Sequence, residues 1–319
     1  MTAQERPIFL VGAARSGTTL LRFMLSSHPR LYIPPQSDFI PHLFRRHPQE
    51  PLTRQGAIRA AEYIFAAHPF IKDWRDERPD PAAFVDALPD RRAATLLEAI
   101  YVCYARQHGA ERWGDKSPSY TGYMDLLDRL FPTAQFIHII RDGRDVALST
   151  LETFKEGNLH VDMYFAAWTW KRRVRTALAC GRRLGPERYC ALHYEQLVAE
   201  PERHLRDLCD FLGETFTPAM LEPQRQARER LSPKGVHAAV RNPVTTSRAG
   251  RWREGMSAVD QRLFHAVAGD LLEELGYDTQ DVGHMSPAEY ARYAGLRAKY
   301  TVMEGGRQAL QTVGLFSPH

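Results

Sequence analysis

The sequence has few cysteines and no long apolar run. Its four cysteines, Cys103, Cys180, Cys190 and Cys209, form no CxxC pair and no cluster with histidine. This argues against a zinc site or a disulfide framework and fits a reducing compartment. No apolar stretch reaches the roughly 20 residues that a membrane helix needs. The opening residues MTAQERPIFLVG lack the pattern of a secretory leader. We therefore expect a cytoplasmic protein without a membrane span.

The sequence also lacks a large excess of either sign of charge. The formal net charge is +4 over 319 residues, and most of the basic residues are arginine. This small excess suits an anionic small ligand, but it is too weak to indicate nucleic acid, and no aromatic–basic binding module is present. The carboxylates show no metal-ligand spacing, so we expect no metal.

Apolar strand patterns alternate with helical patterns along the chain. Strands are predicted within residues 7–12, 112–118, 134–140 and 188–193, with helices over 160–184 and 257–275 and irregular structure over 230–255. This order predicts an α/β, P-loop-type three-layer fold with a central, mainly parallel sheet flanked by helices and helical insertions. No repeat or long linker divides the chain, so we predict a single domain over 1–319. Its motifs lie in 7–255, and C-terminal helices and a tail occupy 256–319.

The segment FLVGAARSGTTLLRFML, residues 9–25, is similar to a phosphate-binding loop of the form GxxxxGK[ST]. Gly12 and Gly17 keep the spacing, but Thr18 occupies the lysine position and Thr19 follows. Backbone N–H groups at a helix start can still bind an anion, whereas the ammonium that reaches the β- and γ-phosphates is lost. The pattern favours a short anionic 5′ group, with Arg15 as a planar donor. The alternative is a glycine turn that binds nothing.

A second unit, HIIRDGRDVALS, predicts another anion site. Arg141 follows a buried strand and Ser149 lies eight residues later on the next helix. Together they could hold a second phosphate at a strand end. Alternatively, Arg141 pairs with Asp142 or Asp145. His138 within the strand is more simply a core histidine with a satisfied hydrogen bond.

These units resemble the PAPS-dependent sulfotransferases, and within them a bacterial branch similar to tyrosylprotein sulfotransferases. PAPS, 3′-phosphoadenylyl sulfate, has a phosphosulfate at 5′ and a phosphate at 3′. The stretch AARSGTTLL resembles the family's 5′-phosphosulfate loop, and IIRDGRDVALS resembles its 3′-phosphate motif. The later stretches LHYEQLVAEPERHLRDLCDFLG and NPVTTSRAGRWR are similar to the segment after the third strand and to the cofactor-covering loop. The resemblance spans most of residues 7–255 and does not extend to the tail from about residue 280.

The resemblance implies that consecutive loop residues bind the 5′-phosphosulfate: Arg15, Ser16, Gly17, Thr18 and Thr19. It implies further cofactor contacts elsewhere: Arg141 and Ser149 at the 3′-phosphate, Tyr194 close to the cofactor, and Arg251 and Trp252 beyond a closing loop from Val236 to Thr245. Plain structural roles are the alternatives, with Tyr194 packing beside the strand and Trp252 anchoring a surface loop.

The catalytic residues implied by the resemblance are Arg15, Lys116 and the residue at position 36. Lys116 in WGDKSP looks like the family's transition-state cation, and its alternative is an exposed turn lysine. The family's base is a glutamate 21 residues after the loop arginine, where this chain has Gln36. Glutamine cannot accept the proton.

Three interpretations of Gln36 remain. It is an engineered Glu→Gln change, or a neighbour such as Asp38 or His42 is the base, or the protein binds PAPS without efficient turnover. We favour the first, because glutamine is the isosteric neutral substitute for glutamate and the other motifs are intact.

The sequence thus predicts transfer of a sulfuryl group from PAPS to a hydroxyl, or less favourably an amine, of an organic acceptor, with release of adenosine 3′,5′-bisphosphate. One alternative is a P-loop kinase, disfavoured by Thr18; the other is a non-catalytic PAPS-binding module, which Gln36 keeps open. Segments 39–80, 153–170 and 215–250 are expected to wall the acceptor cleft. Their aromatic and basic residues suit an aromatic, lipid-like or glycosidic acceptor: Phe39, Phe44, Phe154, His160, Tyr164 and Trp168.

Overall fold

A five-stranded parallel sheet lies at the centre of the computed structural model, which describes residues 6–46, 51–66, 74, 78–156, 161–235, 237–279 and 282–312. The strands are β1 (Ile8–Val11), β2 (Leu31–Tyr32), β3 (Arg112–Lys116), β4 (Gln135–Ile140) and β5 (Tyr189–His193). Their order is β2-β3-β1-β4-β5, and each neighbouring pair is parallel. The predicted α/β fold with a mainly parallel sheet is confirmed.

Fourteen α-helices in the described residues surround or extend this sheet. The first seven are α1 (Thr18–Ser26), α2 (Ile40–Arg46), α3 (Arg54–Ala66), α4 (Pro81–Asp86), α5 (Ala93–Gln107), α6 (Met124–Leu130) and α7 (Gly143–Glu156). The others are α8 (Met163–Leu184), α9 (Tyr194–Ala199), α10 (Pro201–Leu212), α11 (Pro223–Arg230), α12 (Trp252–Gly255), α13 (Ala258–Glu274) and α14 (Pro287–Thr312). Short 3₁₀ turns cover Pro118–Tyr123, Pro218–Leu221, Ala238–Arg241 and Thr246–Arg248.

Strand β1 shows how the sheet is covered on both faces. Its side chains alternate, because successive residues of a strand point to opposite sides. Phe9 packs with Trp113 and Phe136 in one buried cluster, whereas Ile8 and Leu10 belong to a second cluster that includes residues of α1 and α10. All four residues of β1 are buried, which explains why its sequence is continuously apolar rather than alternating.

The C-terminal helix α14 lies against α8. Tyr300 stacks on Tyr164 with ring centroids 5.4 Å apart, and its hydroxyl donates to Asp162 at 2.8 Å. Asp162 also caps α8 by accepting from the backbone N–H of Phe165 at 2.9 Å. The tail thus contributes to a buried cluster, although it carries no part of the motif pattern. A single domain over 1–319 stays a prediction.

Candidate active site

The residues singled out by the sequence lie at the carboxyl ends of the strands. Gln36 follows β2, Lys116 ends β3, Gly12 follows β1, Arg141 follows β4 and Tyr194 follows β5. Since the strands are parallel, these ends meet at one edge of the sheet, where open α/β sheets bind ligands. Topology therefore gathers residues that are scattered over the sequence.

The phosphate-type loop joins β1 to α1 with glycines at its tightest positions. Gly17 has φ of 94°, and a Cβ there would lie 2.5 Å from Cδ2 of Tyr194. Arg15 also has a positive φ, 71°, which is uncommon for a residue other than glycine. The loop therefore packs directly on the Tyr194 ring, and only glycine fits at position 17. Thr18 and Thr19 form the first turn of α1 and are buried.

Two of the hydrogen-bond donors at this edge, one in the phosphate-type loop and one after β4, are buried without a partner. One is Oγ of Ser16, a residue with no exposed surface, and the other is Nε of Arg141. Buried polar groups are nearly always hydrogen-bonded. These two donors are therefore candidates for contact with the oxygens of an anionic ligand.

Most donors of Arg141 are already used within the protein. Nη1 donates to the carbonyl oxygen of Arg15 at 3.0 Å, and Nη2 donates to Asp145 at 3.3 Å and to the carbonyl oxygen of Arg248. The guanidinium also lies 4.7 Å from the centroid of the Tyr194 ring. The structure therefore shows the pairing with Asp145 that the sequence left open, and Arg141 joins the loop to the later chain.

Arg15 and Ser149 are in direct contact. Nε of Arg15 donates to Oγ of Ser149 at 3.0 Å. The resemblance assigned them to opposite ends of a ligand, but here the two predicted anion sites adjoin.

Asp145 is a residue that the sequence suggested only as a partner of Arg141. Its buried carboxylate accepts from the backbone N–H of Gly250 at 2.8 Å and of Trp252 at 2.9 Å. It thereby fixes residues 250–252 against α7. The DGRD pattern indicated a helix start but gave no sign of this long-range contact.

Arg251 and Trp252 lie outside the cavity and hold residues 250–252 against α7. Arg251 pairs with Glu152 of α7 at 2.9 Å, and both side chains are exposed. Trp252 is buried beneath the Arg144 guanidinium, which lies 3.5 Å from a ring centroid. Neither residue is among the described residues that line the cavity at the strand ends.

That cavity has a volume of about 710 Å³, within the range of small-molecule sites. Its walls are the phosphate-type loop, Tyr194 and residues of the segment 233–248, which we call the covering segment. The described lining residues include four arginines and no carboxylate. They are Arg15, Arg141, Arg241 and Arg248. Such a lining attracts an anion.

His237, on the covering segment, also lines this cavity and was not predicted individually. Burial, together with the nearby cations Lys116, Arg15 and Arg22, lowers its pKa to about 4. The neighbouring Val236 lies outside the described residues. His237 therefore brings a neutral imidazole from the covering segment towards the cationic edge of the sheet.

Lys116 is buried, with 3% of its surface exposed, so the alternative of an exposed turn lysine is wrong. Burial lowers its pKa to about 8, and Arg22 acts in the same direction. Nζ of Lys116 donates to Oε1 of Gln36 at 3.3 Å, and Nε2 of Gln36 donates to Asp38. Asp38 also accepts from the hydroxyl of Ser119. A cation, an amide and a carboxylate thus stand in sequence where β2 and β3 end, and none of the three is among the described residues that line the cavity.

A buried polar network lies beneath this row. The hydroxyl of Ser37 donates to Asp115 at 2.7 Å, and the hydroxyl of Tyr101 donates to the same oxygen at 2.5 Å. Tyr120 lies 3.1 Å from the Ser37 hydroxyl oxygen. Burial raises the pKa of Asp115 to about 6. The network fixes the loop that carries Gln36 and Asp38, and nothing in the local sequence pattern indicated it.

Several aromatic residues expected in the acceptor cleft pack in the core. Phe39 stacks on Tyr101, and Tyr164 and Trp168 pack with Tyr300. His160 lies outside the described residues. His138 is fully buried, and its Nδ1 lies 2.6 Å from the Tyr189 hydroxyl, as predicted for a core histidine.

Fold and site together define a P-loop-type α/β protein with an arginine-lined cavity at the strand ends, in which the usual loop lysine is absent. The described residues contain no group of three or more histidines, cysteines and carboxylates able to hold a metal ion. No helix in the same part of the chain combines the length and apolarity needed to cross a membrane.

The chain belongs to the sulfotransferase family, whose model matches residues 7–218. It is 28% identical to protein-tyrosine sulfotransferase 1 of Danio rerio over 295 residues, which cover 89% of this chain and 75% of that protein. It is 26% identical to a putative protein-tyrosine sulfotransferase of Caenorhabditis briggsae, with 91% of this chain and 94% of that protein covered. The predicted family and its likeness to tyrosylprotein sulfotransferases are confirmed.

Solved structures of similar shape include two sulfotransferase domains. The domain of the Synechococcus PCC 7002 olefin synthase superposes with a TM-score of 0.60 at 28% identity, covering 86% of this chain and 96% of that domain. The domain from the curacin biosynthetic pathway has a TM-score of 0.60 at 23% identity and shares the fold, covering 86% and 98%.

Proposed function

We propose that this chain transfers a sulfuryl group from PAPS to a hydroxyl of an organic acceptor and releases adenosine 3′,5′-bisphosphate. The observation that carries the proposal is the arginine-lined cavity, whose described lining residues include no carboxylate, built on a phosphate-type loop that lacks its lysine. Family membership supports a sulfuryl transferase. A bacterial, cytoplasmic setting stays an expectation from the sequence.

The residues present fit PAPS. The unpartnered hydroxyl of Ser16 and Nε of Arg141 offer hydrogen bonds, and the close contact of Gly17 with Tyr194 leaves no room for a side chain in the loop. Residues 15–19 would hold the 5′ end, and Arg141 with Ser149 would hold the 3′-phosphate. When bound, PAPS supplies a sulfuryl group on a phosphate leaving group.

The chain's own residues would stabilise charge and orient the reactants. Lys116 places an ammonium in a buried position, where its interaction with developing negative charge is stronger than in water. The arginine of the loop and the backbone N–H groups at the start of α1 add fixed positive potential. Arg251 and Trp252 would act through the covering segment that they anchor. The acceptor's proton must go to another group, because the amide of Gln36 cannot take it.

The proposed acceptor is a hydroxyl. The relatives' names, protein-tyrosine sulfotransferases, make a tyrosyl hydroxyl the first acceptor to test. Small glycosidic and lipid-like alcohols come next.

The test begins with calorimetric titration of adenosine 3′,5′-bisphosphate and, separately, of ATP with Mg²⁺. We expect the bisphosphate to bind and ATP to bind far more weakly. PAPS is then incubated with a tyrosyl peptide, a sugar and a fatty alcohol, and mass spectrometry records the gain of one sulfuryl group. Saturation by ATP alone would favour a kinase. Binding of the bisphosphate without transfer to any acceptor would favour a binding module.

A further inference from the structure

We propose that the carboxylate of Asp38 is the general base of this reaction and that Gln36 orients it. The inference rests on the proposed function. It favours a neighbouring base over an engineered change as the explanation of Gln36.

The contacts of Gln36 fix which way its amide faces. Lys116 can only donate hydrogen bonds, so the amide group it contacts at 3.3 Å must be the oxygen. The amide nitrogen then faces Asp38, which must accept. Glutamine at position 36 therefore has a defined role. It connects the buried cation to a carboxylate that a glutamate there would repel.

Asp38 is held in place by its backbone as well as its side chain. Its φ of 55° lies in the left-handed region, and strained backbone often occurs at functional sites. Its N–H donates to the Ser117 hydroxyl at 3.2 Å, and its other carboxylate oxygen accepts from the Ser119 hydroxyl. The side chain is only partly buried. A carboxylate can accept about four hydrogen bonds, so Asp38 can still receive a proton from the hydroxyl group that is to be sulfated.

Neighbouring candidates for the base fit less well. Asp115 has no exposed surface: its Oδ2 accepts from both Ser37 and Tyr101, and its Oδ1, which has no partner, is buried away from an incoming acceptor. His237 lies among cations that disfavour its protonation, which makes it a weak proton acceptor.

In the proposed step, the acceptor oxygen forms a bond to sulfur while the bond between sulfur and the 5′-phosphate oxygen breaks. The electron pair of the broken bond stays on that phosphate oxygen. The acceptor's proton moves to the carboxylate of Asp38, so atoms and charges balance.

The experiment compares wild type with Asp38→Asn, Gln36→Glu and the interchange variant Gln36→Glu/Asp38→Asn. His237→Gln tests the rival base, and Asp86→Asn, an exposed aspartate paired with Arg54, is the matched control. For each variant we would measure affinity for adenosine 3′,5′-bisphosphate and the rate of sulfuryl transfer from PAPS to tyrosyl peptide, sugar and fatty alcohol.

We expect Asp38→Asn to lower kcat by at least ~100-fold, the lower end for a general base, while affinity for the bisphosphate changes less than about threefold, since the Asn variant preserves shape. The interchange variant should recover about tenfold or more over Asp38→Asn, because a carboxylate returns to the same pair. Asp86→Asn should match wild type.

A readout independent of turnover tests the contact itself. Gln36→Glu puts two carboxylates side by side, so its melting temperature should fall between pH 5 and pH 8 relative to the interchange variant. An equal response of both variants would contradict the contact.

Retention of more than about a third of the wild-type kcat by Asp38→Asn would overturn the proposal, because loss of a base has a far larger effect. So would a large loss in His237→Gln alone. Failure of the wild type to bind the bisphosphate, or binding without transfer to any acceptor, would instead overturn the proposed function, and the melting comparison would still report on the contact.

Discussion

At the scale of single residues, burial gives Lys116 its properties. A lysine exposed at a turn would be a mobile charge with an ordinary pKa, but here β3 carries it into the interior beside Gln36. We predict that Lys116→Met lowers the rate of sulfuryl transfer by about 100-fold or more, since electrostatic stabilisers contribute that much. Lys155→Met, at an exposed position of α7, should leave the rate unchanged. Equal losses in both variants would remove Lys116 from catalysis.

The lowered pKa of Lys116 also predicts a pH dependence. Its ammonium is present below about pH 8 and is lost as the pH rises through that value. The profile of kcat/KM reports groups of the free enzyme, so we expect it to fall above about pH 8. In Lys116→Met this alkaline limb should be absent. A limb that persists in the variant would assign it to another group.

The Gly17 contact with Tyr194 is a second residue-scale test. Gly17→Ala would place a methyl group 2.5 Å from the ring, at a φ of 94°. Gly109→Ala is the matched control, because φ there is 74° and nothing lies within 4 Å of the added carbon. The control should lose about 1 kcal/mol of stability from backbone strain. Gly17→Ala should lose more and should also weaken binding of adenosine 3′,5′-bisphosphate. Calorimetry and urea unfolding measure both, and identical behaviour of the two variants would contradict the packing argument.

At the scale of elements, the covering segment is attached to α7 through residues 250–252, and the buried carboxylate of Asp145 makes the central contacts. Asp145 receives the N–H groups of Gly250 and Trp252 and the guanidinium of Arg141. We predict that Asp145→Ala costs about 3–5 kcal/mol, as for removal of one partner of a buried ion pair. It should also weaken bisphosphate binding by tenfold or more, because the segment over the cavity loses its anchor.

The matched control for that variant is Glu152→Gln on the same helix. Its exposed pair with Arg251 should contribute no more than about 1 kcal/mol. If Glu152→Gln weakens binding as much as Asp145→Ala, Arg251 contacts the nucleotide more directly than its position outside the cavity indicates.

The same elements show what the sequence could predict. The strand–loop–helix at Gly17 and the strand end at Arg141 follow from local patterns of apolar residues and glycine, so their places were predicted. Gly250 lies 105 residues from its partner Asp145, and Gln36 lies 80 residues from Lys116. Such contacts depend on how the strands are ordered in the sheet. Periodicity within a short segment carries no information about that order.

At the scale of the whole molecule, two buried groups should have opposite effects on folding stability as the pH falls. Burial lowers the pKa of His138 to about 3, below its ordinary value of about 6.5. The unfolded chain then takes up a proton that the folded chain refuses, so His138 contributes stability that is lost as the pH falls below about 6.5. Asp115 has the opposite sign. Its pKa is raised to about 6, so its contribution is present at low pH and is lost as the pH rises through that value.

We predict that Asp115→Asn steepens the loss of stability between pH 6 and pH 4. The substitution removes the stabilising contribution of Asp115 at low pH, so the destabilising effect of His138 is no longer offset. His138→Gln, which can keep a hydrogen bond to Tyr189, should make that loss shallower, by up to about 1.4 kcal/mol for each pH unit. Urea unfolding at pH 7, 5.5 and 4 measures both slopes. Comparison between variants cancels the contribution of His193 and His237, whose pKa values are also lowered by burial. Parallel slopes in wild type and His138→Gln would mean that His138 is not the group that limits stability in acid.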